Sequence, residues 1–88
     1  MTTSSQELAI HAIVALKIID LVKAEAKQAN ITADSNLADV GLDSLRFMSV
    51  VFKIEAYYDI ELQEEDADDL RTVGDLANLV IARIAEQS

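Results

Sequence analysis

The chain has 88 residues, with seven basic and sixteen acidic side chains, a net charge of −9 and no cysteine. This length fits one domain with a modest core, and the charge argues against binding nucleic acid or an anionic membrane surface. Disulfides and cysteine-based metal sites are excluded because cysteine is absent. Since neither a secretory signal nor a membrane-spanning apolar run is visible, the sequence predicts a cytoplasmic protein.

The first predicted element is a long helix over about residues 6–28, after a frayed start at residues 1–5. Apolar residues recur at helical spacing and predict a buried stripe. Further apolar residues widen this stripe, either into a broad core face or into a second contact face. The predicted stripe consists of Ile10, Val14, Ile18, Leu21 and Val22, with Ile13 beside it, and the residues that widen it are Leu8, Leu16 and Ile19.

A long connection with many turn-forming residues follows over residues 30–43. Connections of this length inside a small domain are often functional. Three isolated apolar residues, Ile31, Leu37 and Val40, are expected to hold the connection against the core.

A second helix is predicted over residues 44–58, and it carries two apolar rows. One row is a clear core face at helical spacing. The second row, with spacing i, i+3 and i+7, is either ordinary core packing or a surface that meets a partner, because a small domain has little use for two apolar faces on one helix. The first row is Phe47, Val50, Val51, Ile54 and Tyr58, and the second is Leu45, Met48 and Phe52.

The last third of the chain begins with a strongly acidic segment, residues 59–69, which has no basic residue. No EF-hand is predicted there, because the loop glycine and the glutamate at the twelfth position are missing. We therefore expect no metal site. A short helix is predicted over about residues 64–70, and Thr72 with Asp75 forms a capping-box variant that begins a final helix.

These elements predict an all-α domain over residues 1–88, a small antiparallel four-helix bundle with three longer helices and one short helix.

The pair Asp43-Ser44 stands at the predicted start of the second helix. Aspartate and serine are favoured caps, so both residues can simply begin the helix. Alternatively, the exposed hydroxyl of Ser44 carries a covalent group. In that case Asp43 would help to hold a metal ion or a substrate phosphate during attachment.

The segment Leu-Ala-Asp-Val-Gly-Leu-Asp-Ser-Leu at residues 37–45 resembles the signature of the acyl carrier protein family. The resemblance continues without a gap from about Ser35 to the end of the chain, whereas the first helix matches only in length and periodicity. The matching marks are Leu37, Gly41, Asp43-Ser44-Leu45 and the segments 54–58, 60–62 and 72–76.

This resemblance implies a four-helix fold and a 4'-phosphopantetheine group on Ser44. A separate phosphopantetheinyl transferase would deliver the group from coenzyme A with Mg²⁺, while Asp43 assists. The arm would end in a thiol that carries acyl groups as thioesters, which accounts for a cysteine-free chain. The implied protein is a non-catalytic carrier and is expected to be a monomer. Its implied partners are the transferase, an acyl- or aminoacyl-loading ligase and downstream synthases or transferases.

In the family, the second helix faces partner enzymes, so the resemblance assigns a partner-binding role to its exposed residues. This chain departs from the strongly acidic helix of general fatty-acid carriers, since its second helix has a net charge of +1. We therefore expect a specialised carrier whose partners have less basic docking sites; otherwise these cations are only solvated surface charges. The residues assigned to partner binding are Leu45, Arg46, Met48, Ser49, Phe52 and Lys53.

The cargo remains open between the acyl groups of fatty-acid, polyketide or related pathways and the aminoacyl groups of stand-alone aminoacyl or peptidyl carriers. Asp43 favours acyl cargo, because peptidyl carriers usually have a histidine or a glycine-rich sequence before the serine. An alternative of another class is an unmodified helical interaction module that docks through Leu45, Met48 and Phe52. An enzyme has the least support, since no nucleophile–base pair or metal cluster is visible.

Overall fold

The computed structural model describes residues 3–28 and 30–87. The elements are α1 (Thr3–Ala26), α2 (Ser44–Tyr58), α3 (Glu64–Ala67) and α4 (Val73–Gln87). The three long helices confirm the predicted all-α class, and the bounds of α2 agree with the prediction. Because α3 is a single turn of four residues, the count of four helices stays a prediction.

α1 begins three residues earlier and ends two residues earlier than predicted. Residues 1 and 2 of the predicted frayed start lie outside the described residues, and the helix already includes residues 3–5, where no proline or glycine interrupts it. Lys27 ends α1 in a left-handed conformation with φ 56°, and its N–H donates to the Lys23 carbonyl at 2.9 Å. The Gln28 side chain, outside the helix, donates to the Val40 carbonyl at 3.1 Å.

The buried stripe of α1 is narrower than predicted. Val14, Ile18 and Val22 are buried, whereas Ile10 and Ile13 are 51% and 65% exposed. The prediction was wrong for Ile10, because burial of the row Ile10–Val14–Ile18–Val22 begins only at Val14, one turn later. Ile13, which was expected beside the stripe, lies on a neighbouring row and is exposed. Of the widening residues, Leu16 is exposed and Ile19 is half-buried, and the Leu8 side chain lies outside the described residues.

The core is formed where α1 packs against both α2 and α4. Burial of each large aliphatic side chain there contributes about 1.5–3 kcal/mol. Two of the three apolar residues of the 30–43 connection, Ile31 and Val40, are buried and Leu37 is half-buried, as predicted. The buried residues are Val14, Ile18, Val22, Ile31, Val40, Val50, Ile54, Ile60, Val73, Leu76, Ala77 and Val80.

The 30–43 connection is hydrogen-bonded to the start of α4. The Leu37 N–H donates to the Arg71 carbonyl at 2.8 Å, and the Gly74 N–H donates to the Ala33 carbonyl at 2.8 Å. A β-carbon at Gly74 would lie only 3.0 Å from that carbonyl oxygen, so glycine permits this close approach. The connection is therefore fixed at one end of the bundle, and Ser44 follows directly from it.

The predicted capping box at the start of α4 is confirmed. The Asp75 N–H donates to Thr72 Oγ1 at 3.1 Å, and the Thr72 N–H donates to Asp75 Oδ2 at 3.1 Å. Hydrogen bonds from the backbone N–H groups of Thr72 and Arg71 lower the pKa of the Asp75 carboxyl.

Candidate functional site

The start of α2 is built from a glycine turn and an aspartate cap. Gly41 has φ 81°, which an L side chain rarely adopts, and it turns the chain toward the helix. Asp43 is the N-cap with extended backbone, and its Oδ1 accepts a hydrogen bond from the Arg46 N–H at 2.8 Å. Ser44 is therefore the first residue of α2.

Ser44 is exposed at this helix end. Unpaired N–H groups and the helix dipole make the N-terminus of a helix favourable for a negatively charged group such as a phosphodiester. A phosphate esterified to the Ser44 hydroxyl would thus be placed in a favourable electrostatic position.

Ser44, which is exposed, also lines a cavity of about 490 Å³. Most of the lining side chains are apolar. They come from α2, from the segment 62–70 and from α4, which are distant in sequence. The lining residues are Ser44, Phe47, Met48, Val51, Phe52, Glu55, Leu62, Gln63, Leu70, Leu76 and Leu79.

The segment 62–70, which forms part of the cavity wall, is held in place by two polar contacts. Glu55 Oε2 accepts a hydrogen bond from the Leu62 N–H at 2.9 Å, which ties the segment to α2. Arg83 Nη2 of α4 lies 2.6 Å from Asp66 Oδ2, which ties the same segment to α4. Arg83 also lowers the pKa of the Asp66 carboxyl by donating this hydrogen bond.

The second apolar row of α2 faces solvent. Leu45 is 82% exposed, Phe52 is 61% exposed and Met48 is 42% exposed, so ordinary core packing does not explain this row. Met48 and Phe52 also line the cavity, so two residues of the exposed row are shared with the cavity wall. Exposed apolar side chains grouped in this way are typical of a contact surface.

The cations of α2 lie beside the last turns of α1. Arg46 is exposed, and its Nη1 donates to the Glu25 carbonyl at 3.2 Å. Lys53 Nζ lies 3.6 Å from Glu25 Oε1, and Ser49, between the two cations on the helix, is half-buried. The sequence did not indicate Glu25; its only signal was a single acid between Lys23 and Lys27 near the end of the first helix.

The sequence also did not indicate the cavity-lining role of Leu62, Leu70 and Leu79. Leu62 and Leu70 lie on either side of α3 and Leu79 lies in α4, and no sequence pattern links the three residues. Within the described ranges, no group of three or more His, Asp or Glu side chains could hold a metal ion. None of the described helices is long and apolar enough to cross a membrane.

The sequence of residues 7–80 matches the family described as "Phosphopantetheine attachment site". The acyl carrier protein of Amoebophilus asiaticus is 32% identical over 81% of this chain and 92% of its own length. The acyl carrier protein of Chlamydia felis is 34% identical over 83% of this chain and 92% of its own length.

The chain belongs to the acyl carrier protein family. It is a carrier rather than a catalyst, and its cofactor is a covalently attached 4'-phosphopantetheine, as the resemblance implied.

Solved structures agree with the fold. The holo acyl carrier protein of Geobacter metallireducens superposes with a TM-score of 0.72 at 23% identity, covering 84% of this chain and 88% of its own. The acyl carrier protein of Thermotoga maritima gives 0.74 at 18% identity, covering 89% and 94%. At these identities the likeness shows the shared fold alone.

Proposed function

We propose that Ser44 is the residue that carries the phosphopantetheine group. The observation that carries this proposal is the position of Ser44, an exposed residue at the capped start of α2 that also lines a mainly apolar cavity. When bound, the group supplies the thiol that this cysteine-free chain lacks. The helix end then stabilises the phosphodiester that joins the group to the protein.

During attachment inside the transferase, the Ser44 hydroxyl loses its proton and its oxygen attacks the phosphorus next to the pantetheine in the diphosphate of coenzyme A. The new serine–phosphorus bond completes the phosphodiester, while the bond from that phosphorus to the bridging oxygen breaks and adenosine 3',5'-bisphosphate leaves. Asp43 is exposed and adjacent, and its Oδ1 holds the helix start by accepting from the Arg46 N–H. We propose that the same carboxylate helps to hold Mg²⁺ or the phosphate, because carboxylate oxygens are preferred ligands of Mg²⁺.

Intact-mass spectrometry after incubation with coenzyme A and a broad-range phosphopantetheinyl transferase tests this proposal. Wild type is expected to gain the mass of one phosphopantetheine, and Ser44→Ala is expected to gain nothing, because the attacking oxygen is absent. Ser4→Ala in α1 is the control, because this serine lies outside the residues assigned to partner binding, and it should be modified like wild type. A mass gain that persists in Ser44→Ala would contradict the assignment.

We further propose that the cavity beside Ser44 shelters an acyl chain. Its walls are mainly apolar, and each methylene removed from water there would contribute about 0.8 kcal/mol. A chain bound in the folded state alone raises the melting temperature by linkage. The octanoylated carrier should therefore melt several degrees above the unacylated holo form.

A matched pair of variants locates this effect. Leu79→Trp places a larger side chain in the cavity wall and should abolish the gain in melting temperature on acylation. Leu45→Trp makes the same change at an exposed position that does not line the cavity and should preserve the gain. Equal gains in both variants would show that the acyl chain lies elsewhere.

For the pathway, we propose a specialised fatty-acid, polyketide or related route, with the transferase, a loading ligase and downstream synthases as partners. An aminoacyl cargo is the second candidate, and Asp43 before the serine favours the acyl one. An unmodified interaction module would be favoured if no mass gain occurred. A monomeric state, a cytoplasmic location and a fourth helix formed by α3 stay predictions, and the relatives include a chloroplast protein of spinach.

A further inference from the structure

An enzyme that acts on a group attached to Ser44 must approach the surface around that residue. On α2 this surface contains the exposed row Leu45, Met48 and Phe52, which begins next to Ser44. With Ser44 in its proposed role, the residues of this surface indicate which side chains the partner enzyme presents to it.

The exposed charges of α2 are all positive. Arg46 and Lys53 are both exposed, whereas Glu55, the only acid of α2, is half-buried and accepts a hydrogen bond from the Leu62 N–H. The formal charge of +1 for α2 therefore understates the positive charge that this helix exposes to a partner protein. The exposed side chains present two cations beside an apolar row.

Both cations contact Glu25 of α1, whose side chain is largely covered. Its side chain is 18% exposed, whereas that of Lys53 is 50% exposed. Arg46 contacts Glu25 through the backbone carbonyl, so the carboxylate of Glu25 does not directly neutralise the guanidinium. An approaching protein thus meets the ammonium and guanidinium groups more readily than the carboxylate.

We propose that this carrier docks to enzymes that present an apolar recess flanked by carboxylates. The recess receives Leu45, Met48 and Phe52, and the carboxylates face Arg46 and Lys53. Complementary charge at the rim of an interface mainly controls association rate and partner choice, while the apolar centre contributes most of the affinity. A basic docking site would bring like charges together and would be disfavoured.

A charge-swap cycle tests this proposal. The probe is a ketosynthase with a basic carrier-docking surface, used in its native form and with two docking-surface Lys or Arg residues changed to Glu. At low salt, the wild-type holo carrier should bind the reversed enzyme roughly 2- to 30-fold more tightly than the native enzyme, the range for two exposed ion pairs. Arg46→Glu/Lys53→Glu should invert this preference, and about 0.5 M salt should largely remove it.

Two further variants keep the test decisive. Arg46→Gln/Lys53→Gln removes the cations without placing new carboxylates beside Glu25, and it should bind both enzymes about equally. Lys23→Glu/Arg71→Glu changes the net charge by the same amount as the reversal but outside α2, and it should keep the wild-type preference. If wild type prefers the native basic enzyme, or if the control variant inverts the preference as strongly as the α2 reversal, the proposal is wrong.

Each carrier is loaded with phosphopantetheine and checked by intact mass before the titration. Failure of Ser44 to accept the group would overturn the proposed function at that step. A fully loaded carrier without the expected charge preference would overturn only the docking proposal. The two failures are therefore distinguishable.

Discussion

The N-termini of α2 and α4 are capped by similar side-chain hydrogen bonds, but they differ in how far the rest of the fold covers them. At α4, Thr72 and Asp75 satisfy each other's backbone N–H groups in a reciprocal box. At α2, Asp43 accepts from the Arg46 N–H, and Ser44 follows it in an exposed position. Both starts are capped, but only one leaves a hydroxyl accessible.

The two helix starts differ in accessibility because the 30–43 connection covers one of them and not the other. The 30–43 connection lies on the start of α4, where the Gly74 N–H donates to the Ala33 carbonyl and Val73 is fully buried. The same connection ends at α2 without covering it, since Leu45 is 82% exposed. A hydroxyl at a helix start is thus structural at α4 and available for chemistry at α2.

The largest expected effect separates the two roles of Asp43, which caps α2 and is proposed to assist attachment of the group to Ser44. Asp43→Asn keeps a good capping side chain but removes the charge. Its melting temperature should equal that of wild type, while its modification by the transferase should slow by roughly 10- to 100-fold, the range for one lost charged contact. Initial rates from intact-mass time courses measure this. Unchanged rates would mean that Asp43 only caps α2.

A smaller effect should distinguish the Thr72 hydroxyl from the Ser44 hydroxyl by how much each contributes to the free energy of unfolding. Thr72→Val leaves the half-buried Asp75 N–H without its acceptor and should lower the free energy of unfolding by about 1–2 kcal/mol. Ser44→Ala changes an exposed side chain and should alter it by less than about 0.5 kcal/mol. Urea denaturation of both variants gives these values. Equal losses would argue that the Ser44 hydroxyl also has a structural role.

The smallest expected effect is a pH dependence confined to the start of α4. Backbone hydrogen bonds lower the pKa of Asp75, so its contribution to stability is present above the usual aspartate range near 4 and is lost as pH falls through the lowered pKa. Asp75→Asn should therefore lose less stability than wild type below about pH 4. Thermal unfolding from neutral to acidic pH measures this, and parallel curves would contradict it.

Local patterns were sufficient where neighbours within one or two turns decide the structure. The bounds of α2, the capping box at α4 and the buried residues Val50 and Ile54 follow from caps and 3.6-residue periodicity. The end of α1 did not follow, because it depends on Lys27 adopting a left-handed conformation and on Gln28 contacting Val40 across the loop.

The all-α class, the family and Ser44 as the candidate attachment residue could all be read from the amino-acid sequence, because they depend on short, contiguous patterns. The surfaces that these patterns meet depend on how the helices pack together. The cavity exists because α2, the segment 62–70 and α4 come together, and the exposure of Ile10 follows from the point along α1 at which burial of its row begins. The contact of Glu25 with Arg46 and Lys53 likewise joins residues far apart in the chain. Such contacts depend on how helices pack, which periodicity within one helix does not specify.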